Sequence, residues 1–330
     1  MSFNLKTTFA GLAFLAASSA PALAADVTLK LAGTLPEAHQ SNRVLEDMIA
    51  EIEGADVGIS IQFFPAGQLG SGEELLDDAK FGNVDMVHAS VYAVADPRID
   101  FQSLPFLAGS IEDIREITGN PDAEYNKIFA EILEQHGIMH LSTIIEGLVG
   151  AVSTKMPDNP RGLGDQGTTL RVWSSQLAKS TLEVLGYQTV TMAWAEAFPA
   201  VQAGTVDGAM CCTPELALTA FAASDVGSVY IDYAAFNENQ LIYMNMGKFQ
   251  QLSDEQMAVV MKAARTAGKR MSDEAYDRTA SVVEQLREKN WEIVEFTPEE
   301  RAAIKETVVA QVWPSVADVV GQDILDRLSK

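Results

Sequence analysis

The 330-residue sequence predicts an α/β fold, and three observations carry that expectation. Short apolar runs of strand length alternate with longer amphipathic segments, the pattern of a sheet covered by helices. Capping residues and glycines mark where those helices begin and end. One unit of grammar also recurs: Phe81-Gly82-Asn83-Val84-Asp85-Met86 and Ala203-Gly204-Thr205-Val206-Asp207-Gly208 both read as helix, Gly, one residue, Val-Asp, strand. Two lobes of similar build explain that echo, and so does the general frequency of helix–Gly–strand junctions.

The elements follow in order. Residues 1–24 fit a secretory signal peptide, with Lys6 as the only charge, an apolar Phe9–Ala17 stretch and a small-x-small site at Ala22-Leu23-Ala24. The apolar stretch is shorter than the ~20 residues a membrane span needs, so the expectation is a mature chain from Ala25 with no anchor. Val27–Leu31 reads as a first strand and Ser41–Glu53 as a helix with Val44, Leu45, Met48 and Ile49 on one face. Ile59–Phe63 is a second strand. Ser71 and Glu74 form a capping box opening a helix that stops at Gly82, and Val84–Ala89 is the next strand. Ile138–Ile145 and Val149–Thr154 read as two strands with Gly147 between them, a first crossing between lobes. Phe236–Gln240 separates Val229–Ile231 from Leu241–Met246, a return crossing. Ser253–Asn290 is nearly free of helix breakers and opens on a second capping box, Ser253 with Gln256.

The net charge is −23, and loss of Lys6 with the leader makes it −24. So acidic a surface excludes nucleic acid and anionic lipid as natural partners. It does not exclude a small anion, because salt near ~0.1 M screens charges beyond ~10 Å. The two cysteines, Cys211 and Cys212, lie far from the cleavage site, so no lipid attachment is expected. Adjacent cysteines rarely bridge, and free thiols are the expectation, with a vicinal disulfide as the alternative.

Arg171 stands in Thr168-Thr169-Leu170-Arg171-Val172-Trp173-Ser174-Ser175, a short strand-like run. A permanently charged guanidinium among apolar neighbours needs an anionic partner, either an internal carboxylate or a ligand. Downstream come Trp194-Ala195-Glu196 and the Val206-Asp207-Gly208 turn. With Leu35-Pro36-Glu37-Ala38-His39, Phe64-Pro65-Ala66-Gly67-Gln68-Leu69-Gly70, Gly82-Asn83-Val84-Asp85-Met86 and Ser103-Leu104-Pro105-Phe106-Leu107, this order resembles the dicarboxylate-binding (DctP-type) solute-binding proteins of TRAP transporters.

The resemblance implies a two-lobed periplasmic binding protein of type II-like build, with a hinge and a long helix spanning both lobes. Ser253–Asn290 is the candidate for that helix. Residues 25–147 with about 236–275 would form lobe I, and 148–235 with about 276–330 lobe II. It further implies a periplasmic monomer that captures a small organic anion for the TRAP permease subunits, with no cofactor and no metal. Arg171 matches the family's carboxylate-binding arginine, a fork suited to bidentate pairing. Trp194 and Trp173 would pack on the ligand body. Ser90, Tyr92 and Met210 would lie at strand ends facing the cleft, Cys211 where the family often has an asparagine, and Glu37 and His39 on the first ligand loop. Many members have an arginine where Leu148 stands. Loss of that cation, and of a good polar contact at Cys211, points to a monoanion: a monocarboxylate such as a 2-oxo or hydroxy acid, or a sulfonate.

Two other classes compete. A hydrolase would need Cys211 or Cys212 beside one of His39, His88, His136 or His140, and no nucleophile-elbow pattern surrounds them. A two-lobed sensor would share the fold but dock on a membrane receptor.

Overall fold

The computed structural model describes residues 27–108, 111–117 and 120–328; the signal-peptide segment lies outside them. The strands are β1 (Val27–Gly33), β2 (Ile59–Phe64), β3 (Met86–Ala89), β4 (Ile138–Ser153), β5 (Thr169–Val172), β6 (Gln188–Thr191), β7 (Gly208–Cys212), β8 (Val229–Asn245) and β9 (Glu292–Val294). They form one sheet in the order β2-β1-β3-β8-β4-β7-β5-β6, with β9 beside β8. The order is symmetric about its middle. β2-β1-β3 and β6-β5-β7 are parallel triplets, and the antiparallel pair β8 and β4 joins them.

The recurring Val-Asp grammar has a physical basis. Asp85 accepts a hydrogen bond from the Lys30 backbone N–H at 2.8 Å, and Asp207 one from Thr169 at 2.9 Å. In both cases the aspartate immediately precedes a strand, and its partner precedes the first paired residue of the adjacent parallel strand: Leu31 with Met86, and Leu170 with Gly208. The carboxylate thus satisfies an N–H that the ladder has not yet reached. Val84 and Val206 are both buried beside it. The echo is a repeated structural device.

Each crossing is one long strand, a correction to the four short ones expected. β4 runs unbroken through Gly147 and β8 through Phe236–Gln240. Gly147 has φ +130°, which suits glycine, and the pairing shifts register between Ile145 and Leu148. A bulge of this kind bends a strand without ending its ladder, so Asn237 still pairs with Leu148 and Asn239 with Ile145.

The breaker-free segment folds as one helix, Asp254–Glu288, of 35 residues, about 52 Å long at ~1.5 Å per residue. Its first half buries Val260, Ala263, Ala264, Ala267 and Met271 against β1, β2 and the Gln40–Gly54 helix. Its last turns bury Leu286 among residues of β7 and the Pro214–Ala222 region. One helix therefore stiffens both lobes. The capping boxes at Ser71/Glu74 and Ser253/Gln256 form as expected.

Candidate ligand-binding site

The carboxyl ends of both parallel triplets face one cavity. Thr34 and Leu35 follow β1, Ser90 and Tyr92 follow β3, Arg171 and Trp173 come from β5 and its end, and Trp194 follows β6. Cys211 enters from β7, Val149 from β4, and Asn237 to Gln240 from the middle of β8. Ligands of open α/β sheets bind beyond such strand ends. The cavity volume is about 60 Å³.

Arg171 is 2% exposed. Its Nε–H donates to the Met192 carbonyl at 3.0 Å, which fixes the direction of the guanidinium. The Trp194 ring lies 5.9 Å from its Cζ. No carboxylate of the described residues comes within ion-pair distance, and burial pulls its pKa down. Among the described residues Arg171 is also the only cationic side chain lining the cavity. Arg43, Arg98, Lys155 and Lys248 are paired elsewhere, with Glu274, Asp96, Asp207 and Asp85. A buried guanidinium without a counter-charge is costly unless an anion meets it.

The aromatic residues are held by their own contacts. Trp173 donates from Nε1 to Ser103 Oγ at 3.2 Å and stands edge-on to Phe236. Trp194 stands edge-on to Phe221. Ser90 is already committed: its hydroxyl donates to the Asn239 carbonyl and accepts from Gln240. The Tyr92 phenol is pushed up by burial and stays protonated.

Four expectations need correcting. Met210 is fully buried in the core, since its neighbour, not it, faces the cavity. Glu37 is exposed to solvent, on a loop that passes outside the cavity. His39 turns away to begin the Gln40–Gly54 helix: its Nδ1 accepts from the Ser41 N–H, and its Nε2 lies 3.6 Å from Glu146. Leu148 lines a separate cavity with Pro214 and Tyr276, and Val149 is the β4 side chain that faces Arg171's cavity. Strand alternation makes these adjacent residues point oppositely. The second arginine is missing at either position.

Cys211 and Cys212 are bridged to each other, the alternative rather than the expectation. On a regular strand the two sulfurs would face opposite ways. Here Gly150 pairs with Cys212 and Ala151 with Met210, leaving Cys211 as the extra residue of a bulge. A bulge re-aims its side chain, which brings the sulfurs together and turns Cys211 to the cavity.

The residues that sequence reasoning missed are Asn237, Glu238, Asn239 and Gln240. Their signal was present, as four consecutive polar residues inside an apolar strand run, but they read as a linker. Glu238 carries the largest consequence. Burial, then the nearby charge of Glu146, pushes its carboxyl up to about 8, against the pull of Gln240 and Arg171.

No histidine lines the cavity. His39 and His88 are buried, and burial holds each near pKa 4 and neutral. His136 sits against Asp96 and His140 against Thr143. With both cysteines in a disulfide, no nucleophile–base pair is assembled from the residues a hydrolase would use. Among the described residues no helix is long and apolar enough to cross a membrane.

Known proteins share this build. Residues 32–318 match the family described as bacterial extracellular solute-binding protein, family 7, DctP. A solute-binding protein of Roseobacter denitrificans is 25% identical over 310 residues, 92% of this chain and 93% of that protein. The sialic acid-binding periplasmic protein SiaP of Vibrio cholerae is 21% identical over 78% of this chain and 79% of its own. The sugar acid-binding protein DctPAm of Advenella mimigardefordensis, solved with galactonate, superposes with a TM-score of 0.82 at 20% identity, covering 93% and 99% of the two chains. A TRAP periplasmic solute-binding protein of Sulfurospirillum deleyianum, solved with succinate, gives 0.80 at 20% identity over 92% and 99%. These relatives are named as solute-binding proteins. With the family match spanning most of its length, a two-lobed α/β fold and an arginine at the cleft, the chain belongs to the bacterial extracellular solute-binding protein family 7, the DctP-type solute-binding proteins of TRAP transporters.

Proposed function

We propose that this protein captures a small organic acid bearing a single anionic group, a monocarboxylate such as a 2-oxo or hydroxy acid or a small sulfonate, and presents it to a TRAP permease. The observation that carries this reading is Arg171: buried, without a counter-charge, and the one cation lining the cavity among the described residues. A dicarboxylate would bury a second charge with no cation to meet it. Val149, Leu216 and the Cys211–Cys212 bridge add apolar surface to the lining, which suits a compact organic body. In this reading residues 1–24 export the chain to the periplasm and it works as a monomer. Lobe I comprises 25–147 and about 236–275, lobe II the remainder, and they hinge where β4 and β8 cross.

The test is a thermal-shift screen over organic acids followed by calorimetry, since a ligand that binds only the folded state raises its melting point. Arg171→Ala should fold and lose about 30-fold or more in affinity, the equivalent of ~2–5 kcal/mol for breaking a desolvated charge pair. Arg171→Lys should also bind poorly, because an ammonium lacks the planar fork. Tight succinate or malate binding without any response to monoanions refutes the single-anion reading.

A further inference from the structure

Arg171 accounts for one side of the cavity only. On β8, Glu238 faces the same space and accepts a hydrogen bond from Gln240 Nε2 at 3.2 Å. No lysine, arginine or histidine among the described residues comes within ion-pair distance of Glu238; Arg171 shares its cavity without reaching it. Gln240 is 3% exposed and commits its amide nitrogen to Ser90 and Glu238, which leaves Oε1 buried without a donor. Asn237, 7% exposed, leaves Nδ2 without an acceptor. A buried polar atom with no partner is costly, and at a ligand site the ligand is the expected partner. One buried acceptor, Gln240 Oε1, therefore calls for a donor, and beside it the Glu238 carboxyl lacks a cationic partner.

We propose that the ligand carries a protonated amino group, received by Glu238 and the Gln240 carboxamide oxygen, apart from the anionic group received by Arg171, so that the preferred substrate class is a small zwitterion. This rests on the single-anion reading above and narrows it. The electrostatics agree. The Glu238 carboxyl is held up by burial and by Glu146, and an incoming ammonium supplies a counter-charge. A rival occupant is a dicarboxylate whose second carboxylate accepts from a protonated Glu238. Against it, that arrangement leaves Gln240 Oε1 unserved and adds a second negative charge to a cavity in which Arg171 is the only lining cation among the described residues. An amino group serves both acceptors at once.

The experiment is calorimetry on the purified protein with matched pairs that differ in amine against hydroxyl: alanine and lactate, taurine and isethionate, γ-aminobutyrate and γ-hydroxybutyrate, with succinate alongside. At least one aminated acid should bind about tenfold or more tightly than its hydroxyl partner. In Glu238→Gln that aminated acid should lose its advantage over its hydroxyl partner, the ratio of the two affinities falling from about tenfold or more to near one. The proposal is overturned if no aminated acid binds, if the hydroxyl partners or succinate bind as tightly, or if Glu238→Gln leaves the amine preference intact. The wild-type comparison stands without the variant. Arg171→Ala separates the two readings. Hydroxy acids that bind through Arg171 with no amine advantage sink only the zwitterion. Aminated acids that ignore Arg171 but need Glu238 overturn the anion reading and, with it, the seating of the zwitterion's anionic group on Arg171, while the amine contact to Glu238 survives.

Discussion

Arg171 and Glu238 share one cavity, and burial acts on them in opposite senses. The guanidinium remains a cation while its pKa falls; the carboxyl is driven toward its neutral form, up to about 8. The sign for stability follows. A carboxyl whose folded pKa lies above its unfolded value stabilises the fold fully at low pH and loses that contribution as pH rises from about 4.5 to about 8. Glu238→Gln should therefore match the ligand-free wild type near pH 5 and exceed it at pH 8 by about 1 kcal/mol or more. Urea midpoints across that range check it, and a constant difference at every pH would contradict the burial argument. The disulfide gives a second test at this scale. Alkylation in denaturant should label neither Cys211 nor Cys212 until reductant is added; labelling without reductant would show free thiols.

At the scale of elements, the site depends on how closely β7 approaches β4. A Cβ added at Gly208 would meet the Val152 carbonyl oxygen at 2.1 Å and the Ser153 Cα at 2.8 Å, both backbone atoms. Neither can step aside as a side-chain tip would, so the strands must part. Gly208→Ala should lower stability by about 1–3 kcal/mol, the usual cost of overpacking. It should weaken ligand binding as well, because β7 carries the Cys211 bulge. An unchanged urea midpoint would show that the sheet gives more easily than this packing allows. Gly147 serves differently: its positive φ lets β4 bend within a continuous ladder.

At the scale of the molecule, two triplets with matching aspartate brackets are joined by β4, β8 and the long helix. The shared strands carry Val149 and Asn237–Gln240 into the cavity, so a bend in them alters the site directly. Ligand should close the lobes, a hinge motion of the binding-protein kind. Small-angle scattering should show a smaller radius of gyration with ligand than without, and the ligand should be recovered chemically intact. Identical scattering curves at saturation would argue against closure, and turnover would revive an enzymatic role.

The sequence alone determined the fold class, most element positions and the long helix, and it singled out Arg171 as a candidate, because these rest on local signals. Periodicity, caps and a charged residue set in an apolar strand are all read within a few residues. The Val-Asp echo was open to two readings, similar lobes or a common junction, and the pairing of two parallel triplets decided for the first. Tertiary structure decided what depended on pairing register and on neighbours distant in the chain. The bulge at Cys211 bridged two cysteines that a regular strand would have kept apart. Alternation about Gly147 put Val149 in the cavity and Leu148 outside it. Glu238 became a site residue only when β8 passed between the two triplets and brought it to the same cavity as Arg171, 67 positions earlier in the chain. A local pattern shows that a residue is polar. Which face it occupies, and whether any counter-charge reaches it, depends on partners that only the folded sheet supplies.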